Sequence, residues 1–139
     1  MTSHEADFEP PGNRSLKQWI NYLIVNEGFE EGDLSVVFTT DEYLLSLNMQ
    51  YLDKDYYTDV ITFDYREGNI ISGDVIISID RVKENSEMYG EGFYRELCRI
   101  IAHGILHIIG YNDNDDKNRL IMREKETYYL DKACFQGLI

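Results

Sequence analysis

The chain has 139 residues, enough for one hydrophobic core and short for two, so residues 1–139 are expected to form a single domain. Hydrophobic residues make up 43%, which excludes a disordered chain, and the net charge of -13 argues against non-specific nucleic-acid binding while leaving room for a local basic groove. There is no apolar run near the roughly 20 residues of a membrane span, no apolar signal core in MTSHEADFEPPGNRS, and one of two cysteines, Cys98, lies in an apolar run, so the expectation is a cytoplasmic protein without disulfides or membrane contacts.

Along the chain, an edge strand is expected near residues 5–9, before the breakers Pro10, Pro11 and Gly12. Ser15 is placed to cap a helix whose apolar residues Leu16, Trp19, Ile20, Leu23 and Ile24 recur with the helical period, and Gly28 suits its end. Leu34 to Thr39, LSVVFT, is short and β-branched and predicts a strand. Asp41 to about Tyr51 predicts a second helix. Thr58–Tyr65 and Ile70–Ser78 predict two strands, and the intervening REGN, Arg66 to Asn69, makes them a hairpin. Asp80 is placed to cap a helix to about Met88; a long helix is expected over Glu91–Ile109 and a last one over Asp116–Lys132. This order predicts an α+β fold, a small sheet with helices packed on it.

Chemistry concentrates in HGILHIIGYND, His103 to Asp113. On a helical wheel His107 lies about 40° to one side of His103 and Arg99 about 40° to the other. Leu97, Ile101, Ile105 and Ile108 cover the far side, so the helix is a buried one and its imidazoles need partners. Two readings fit. Either the histidines are core residues bonded to backbone carbonyls, or they hold a metal. Spacing of four lets both rings point at one ion, and Gly110 can end the helix and swing Asp113 back beneath them. His103, His107 and Asp113 would then be three ligands, with a fourth position for water. This is the zincin layout without its general base, because the residue after the first histidine is Gly104 and not glutamate.

Several other signals have bland readings. The 11 tyrosines can stack bases but also pack half-buried, and His4 lies in the N-terminal piece. The run NDNDDKN, Asn112 to Asn118, lacks the glycine and distant glutamate of a calcium loop.

HGILHIIGYND resembles the H-G-x-L-H-x-x-G-Y-D-H signature of the YbeY family of metal-dependent endoribonucleases. LNMQYLDKDYYTDVITFDY (Leu47 to Tyr65) and SGDVIIS (Ser72 to Ser78) resemble two upstream blocks of the same family, in the same order. The resemblance implies a mixed sheet with a zincin-like metal helix beneath it. It also implies a zinc-dependent endoribonuclease acting on single-stranded ribosomal RNA, in ribosomal RNA maturation and ribosome quality control. The implied partners are that RNA and the ribosomal small subunit or its assembly factors. The family's first two zinc ligands fall on His103 and His107, its third, a histidine, on Asp113, and the preceding aspartate on Asn112. The family's arginine falls on Leu52, so Lys54 or Arg99 is expected to supply a cation for phosphate. Asp59 and Asp74 are expected to orient the ligands. Two other functions fit less: a non-catalytic metal-binding ribosome-assembly factor, and a zincin-type hydrolase of another substrate. Gly104 counts against a peptidase.

Overall fold

In a computed structural model, the described residues are 2–3, 13–52 and 58–135. They form, in chain order, β1 (Thr2–Ser3), α1 (Asn13–Asn26), β2 (Glu30–Thr39), α2 (Asp41–Tyr51), β3 (Val60–Asp64), β4 (Ile70–Ser78), α3 (Ile79–Tyr89), α4 (Phe93–Ile109) and α5 (Asp116–Phe135). The sheet runs β1-β2-β4-β3, with β1, β2 and β4 parallel and β3 antiparallel to β4. The fold is α+β, as the element order predicts.

The differences from expectation are local. The edge strand is Thr2–Ser3, and residues 5–9 lie outside the described set. Helix α1 starts at Asn13, so Ser15 lies inside it. Ser78 caps α3 by accepting from the Arg81 N–H, 3.2 Å. Asp80 instead accepts from the Asp41 N–H, 3.0 Å, at the start of α2. Both caps serve the same end, because the first-turn N–H groups of a helix have no partner inside it.

The core forms where α1 and α4 meet one face of the sheet and α5 packs against those two helices. Trp19 is buried and its indole N–H donates to the Tyr129 carbonyl, 2.7 Å. Leu97, Ile101, Ile105 and Ile108 of α4 are buried, as the wheel predicts. So is Cys98, and burial pushes its thiol up to about 12.

Gly104 sets the depth at which α4 sits. A Cβ there would meet Val75 Cγ1 at 2.8 Å, Thr62 Cγ2 at 3.3 Å and Val60 Cγ2 at 3.5 Å. Val60, Thr62 and Val75 share one face of the β3–β4 pair. The absent side chain is therefore a packing requirement that brings the helix down onto the sheet and presents His103 beside its edge strand.

The end of α4 is tied down at several carbonyls. Gly110, at φ 130°, donates its N–H to the Leu106 and His107 carbonyls, and Tyr111 N–H also reaches Leu106 O, 3.0 Å. Arg66 Nη1 donates to Ile109 O, 2.5 Å, while its guanidinium lies over the Phe29 ring, 4.7 Å from the centroid. These contacts satisfy terminal carbonyls and fix the turn that leads to Asp113.

Candidate metal centre

His103 and His107 present their Nε2 atoms 3.0 Å apart, on the same side of α4. Beyond Gly110 the chain turns back, and Asp113 Oδ2 lies 3.6 Å from His103 Nε2 while Asp113 Oδ1 lies 3.7 Å from His107 Nε2. The histidine side chains are 25% and 30% exposed, so neither is sealed in the core. These three are the one group of potential metal ligands among the described residues, with ligand atoms all within 4.8 Å of one another. Tetrahedral zinc with bonds of about 2.0–2.2 Å sets its ligand atoms about 3.4 Å apart. The two imidazole nitrogens are 3.0 Å apart and each has a different Asp113 oxygen at 3.6–3.7 Å, so the two nitrogens and one carboxylate form a donor set of the type zinc takes, gathered within 4.8 Å.

The orientation of His103 comes from a residue that the sequence reading missed. His103 Nδ1 lies 2.7 Å from Glu126 Oε2. A carboxylate only accepts, so Nδ1 carries the proton and Nε2 keeps its lone pair for the ion. Glu126 is buried on α5, on the stripe of Met122, Tyr129, Leu130 and Ala133. A lone acid on an apolar stripe was the available signal. Glu126 Oε1 in turn faces Arg99 Nη1, 3.5 Å.

Arg99 is held for this purpose and not presented to solvent. Its side chain is 9% exposed and lies between Glu91, Glu96 and Glu126, at 3.5–3.8 Å. The expectation that it faces a phosphate is replaced by this ion-pair cluster. Asp59 is brought to the site, where it lines the same hollows as His103. Burial raises its carboxyl, partly offset by the His103 imidazole. Asp74 is not brought there: it pairs with Phe63, and the Tyr51 ring of α2 meets Phe63 edge-on at 5.7 Å, on the sheet face away from Gly104. One residue along a strand changes the face, which sequence alone left open. Lys54 lies outside the described residues.

The titration of the two imidazoles is split. For His103, burial lowers the imidazole, but the hydrogen bond and charge of Glu126, with Asp59 and Asp113, raise it above its ordinary value. His107 is lowered, first by burial and then by His103. In the metal-free protein the His103–Glu126 pair therefore contributes stability that is fully present below about pH 6.5 and is lost as pH rises through the raised value. His107 has the opposite sign and loses stability as pH falls through its lowered value. Protons compete with the metal at His103, so affinity should fall as pH drops below that histidine's raised value. Glu126→Gln should weaken zinc binding about 10–100-fold, read by competition with a chromophoric chelator. Unchanged affinity would remove Glu126 from the site.

Asp113 is placed by the turn and by a second anchor. The Tyr111 hydroxyl donates to Glu27 Oε1, 2.6 Å, and Glu27 also accepts from Lys125 Nζ, 3.1 Å, and from the Tyr129 hydroxyl. Burial raises the Glu27 carboxyl, but these donors hold it below its usual value. The Asn112 side chain folds back to accept from Asn114 N–H, 3.2 Å, and is not among the potential ligands. Asp113→Ala should thus weaken metal binding more than Asn112→Ala, by the same titration, and the reverse order would mean the turn presents Asn112.

Two hollows meet at the triangle. One is lined by Asn48 and Leu52 of α2, Thr58, Asp59 and β3; the other opens between α3, α4 and α5. Leu52 ends α2 and is 41% exposed.

The sequence profile described as Endoribonuclease YbeY matches residues 3–133. The chain is 44% identical to the Endoribonuclease YbeY of Flavobacterium psychrophilum over 128 residues, 92% of this chain and 91% of that protein. It is 48% identical to that of Parabacteroides distasonis over 117 residues, 84% of this chain and 82% of that protein. Its fold is similar to the solution structure of a Thermotoga maritima protein, with a TM-score of 0.67 and 27% identity over 95% of this chain and 87% of that one. A profile that spans the chain and relatives similar over nearly their full length include the helix and turn that assemble His103, His107 and Asp113, and this chain belongs to the Endoribonuclease YbeY family.

Proposed function

We propose that this protein is a zinc-dependent, single-strand-specific endoribonuclease that acts in ribosomal RNA maturation and ribosome quality control, in the cytoplasm and on the small ribosomal subunit. The observation that carries this reading is the His103–His107–Asp113 triangle, two imidazoles and a carboxylate with ligand atoms within 4.8 Å of one another and hollows on two sides. When bound, zinc supplies Lewis acidity toward a phosphoryl oxygen and makes water more acidic. His103, His107 and Asp113 hold it, and Glu126 keeps the His103 lone pair aimed. Asp59 keeps a half-buried carboxyl group on the lining it shares with His103, suited to orienting a ligand or accepting a proton. Asp113 in place of a third histidine removes one unit of positive charge, which lowers the attraction for phosphate. Lys54 is the candidate cation beyond Leu52.

Full-length protein, with and without zinc, incubated with single-stranded RNA and with casein, tests the proposal. Zinc-dependent RNA cleavage that is lost in His107→Ala is the expected result. Binding of ribosomal particles without cleavage would replace it with an assembly factor, and casein cleavage with a peptidase.

A further inference from the structure

We infer that the cleft between α3, α4 and α5 is an RNA subsite for a nucleotide flanking the scissile bond, with Arg119 and Arg123 holding its phosphate. This rests on the RNA substrate proposed above.

The hollow beside β3 contains neither lysine nor arginine among its described lining residues, and Leu52 occupies its edge. The cleft on the other side of the triangle is lined by Arg119 and Arg123, whose side chains are 56% and 60% exposed. Arg99 also lines it but is neutralised by buried carboxylates. Arg119 binds Asp116 and the Asp113 carbonyl, 3.3 Å, and a guanidinium with five N–H groups retains donors for a phosphate. Arg123 stands 3.8 Å from Glu126 Oε1, too long for a hydrogen bond.

Shape and polarity agree with a nucleotide. The cleft has a volume of about 280 Å³, just below the ~300–1,000 Å³ of small-ligand sites, so it suits at most one nucleotide. The buried side chains of Ile100 and Met122 are apolar lining, Tyr89 adds an exposed ring, and Asn85 adds an amide with donors and an acceptor. An apolar surface with an aromatic ring and one amide is what an unstacked base requires. His103, Asp59 and Asp113 line both hollows, so a strand that crosses from one to the other passes the metal triangle.

The test is binding of a short fluorescent oligouridylate to the full-length chain across a potassium chloride series, with zinc and without it. The Arg119→Ala/Arg123→Ala double variant should bind about tenfold more weakly at low salt, and its log–log salt slope should be shallower by roughly 1.4, about 0.7 for each lost phosphate contact on a single strand. The Arg119→Lys/Arg123→Lys variant should keep the wild-type slope, because it keeps the charges. Reading the slope without zinc separates these contacts from any effect passed through Asp113 to the metal. If the double alanine variant matches wild type while wild type still cleaves RNA, the subsite is wrong and the nuclease reading stands. If the lysine variant loses the slope as the alanine variant does, the arginines brace α5 and do not bind phosphate. If zinc-loaded wild type neither binds nor cleaves RNA, the nuclease reading fails and the subsite with it.

Discussion

Leu52→Arg is expected to raise turnover of single-stranded RNA by about 10²–10³-fold, the range measured for one well-placed electrostatic contact to a developing charge. Leu52 ends α2, is 41% exposed and lines the hollow that also contains His103, His107 and Asp113. It supplies no charge there, and Asp113 further reduces the positive charge of the metal site. A phosphate that becomes more negative as cleavage proceeds meets less stabilisation on both counts. Asp113→His combined with Leu52→Arg should raise turnover further. The comparison is cleavage of one labelled RNA by wild type, each single variant and the double variant at equal zinc occupancy. A wild type that is already fast and a Leu52→Arg protein no faster would place phosphate recognition elsewhere, at Lys54 or in the Arg119–Arg123 cleft.

Gly104→Glu should destabilise the protein by about 4 kcal/mol or more, combining overpacking with a buried carboxylate. That is a large part of the ~5–15 kcal/mol that holds a domain together. The reason is the 2.8 Å that a Cβ would leave to Val75 Cγ1, with Thr62 and Val60 behind it. Val75 is buried and β-branched, so it has little freedom to turn away. Gly104→Ala should be milder, because steric cost is offset by about 1 kcal/mol of helix propensity. Urea unfolding of both variants with zinc bound reads the difference. A Gly104→Glu protein that unfolds at the wild-type urea concentration would show that α4 can lift from the sheet. An active peptidase base at that position would follow only in that case.

The helices were legible because their apolar residues recur with the helical period, as in Leu16 to Ile24 and Leu97 to Ile108. The His103–His107–Asp113 cluster was legible for a related reason: all three residues lie within eleven consecutive residues, where a helix and one glycine turn fix their relative placement. Three features depended on contacts between distant segments. Glu126 reaches His103 only because α5 packs against α4, across 23 residues of sequence. Arg99 turns inward because Glu126 of α5 joins Glu91 and the nearby Glu96 around it, a partner that no wheel of α4 displays. Asp74 is absent from the site because β3 and β4 pair in one register, and a shift of one residue would have turned it to the other face. Local periodicity thus determined the elements and the clustering of these three side chains. Packing between segments decided which charges orient that cluster and which side chains line the two hollows, because those depend on distances between residues that the chain itself leaves far apart.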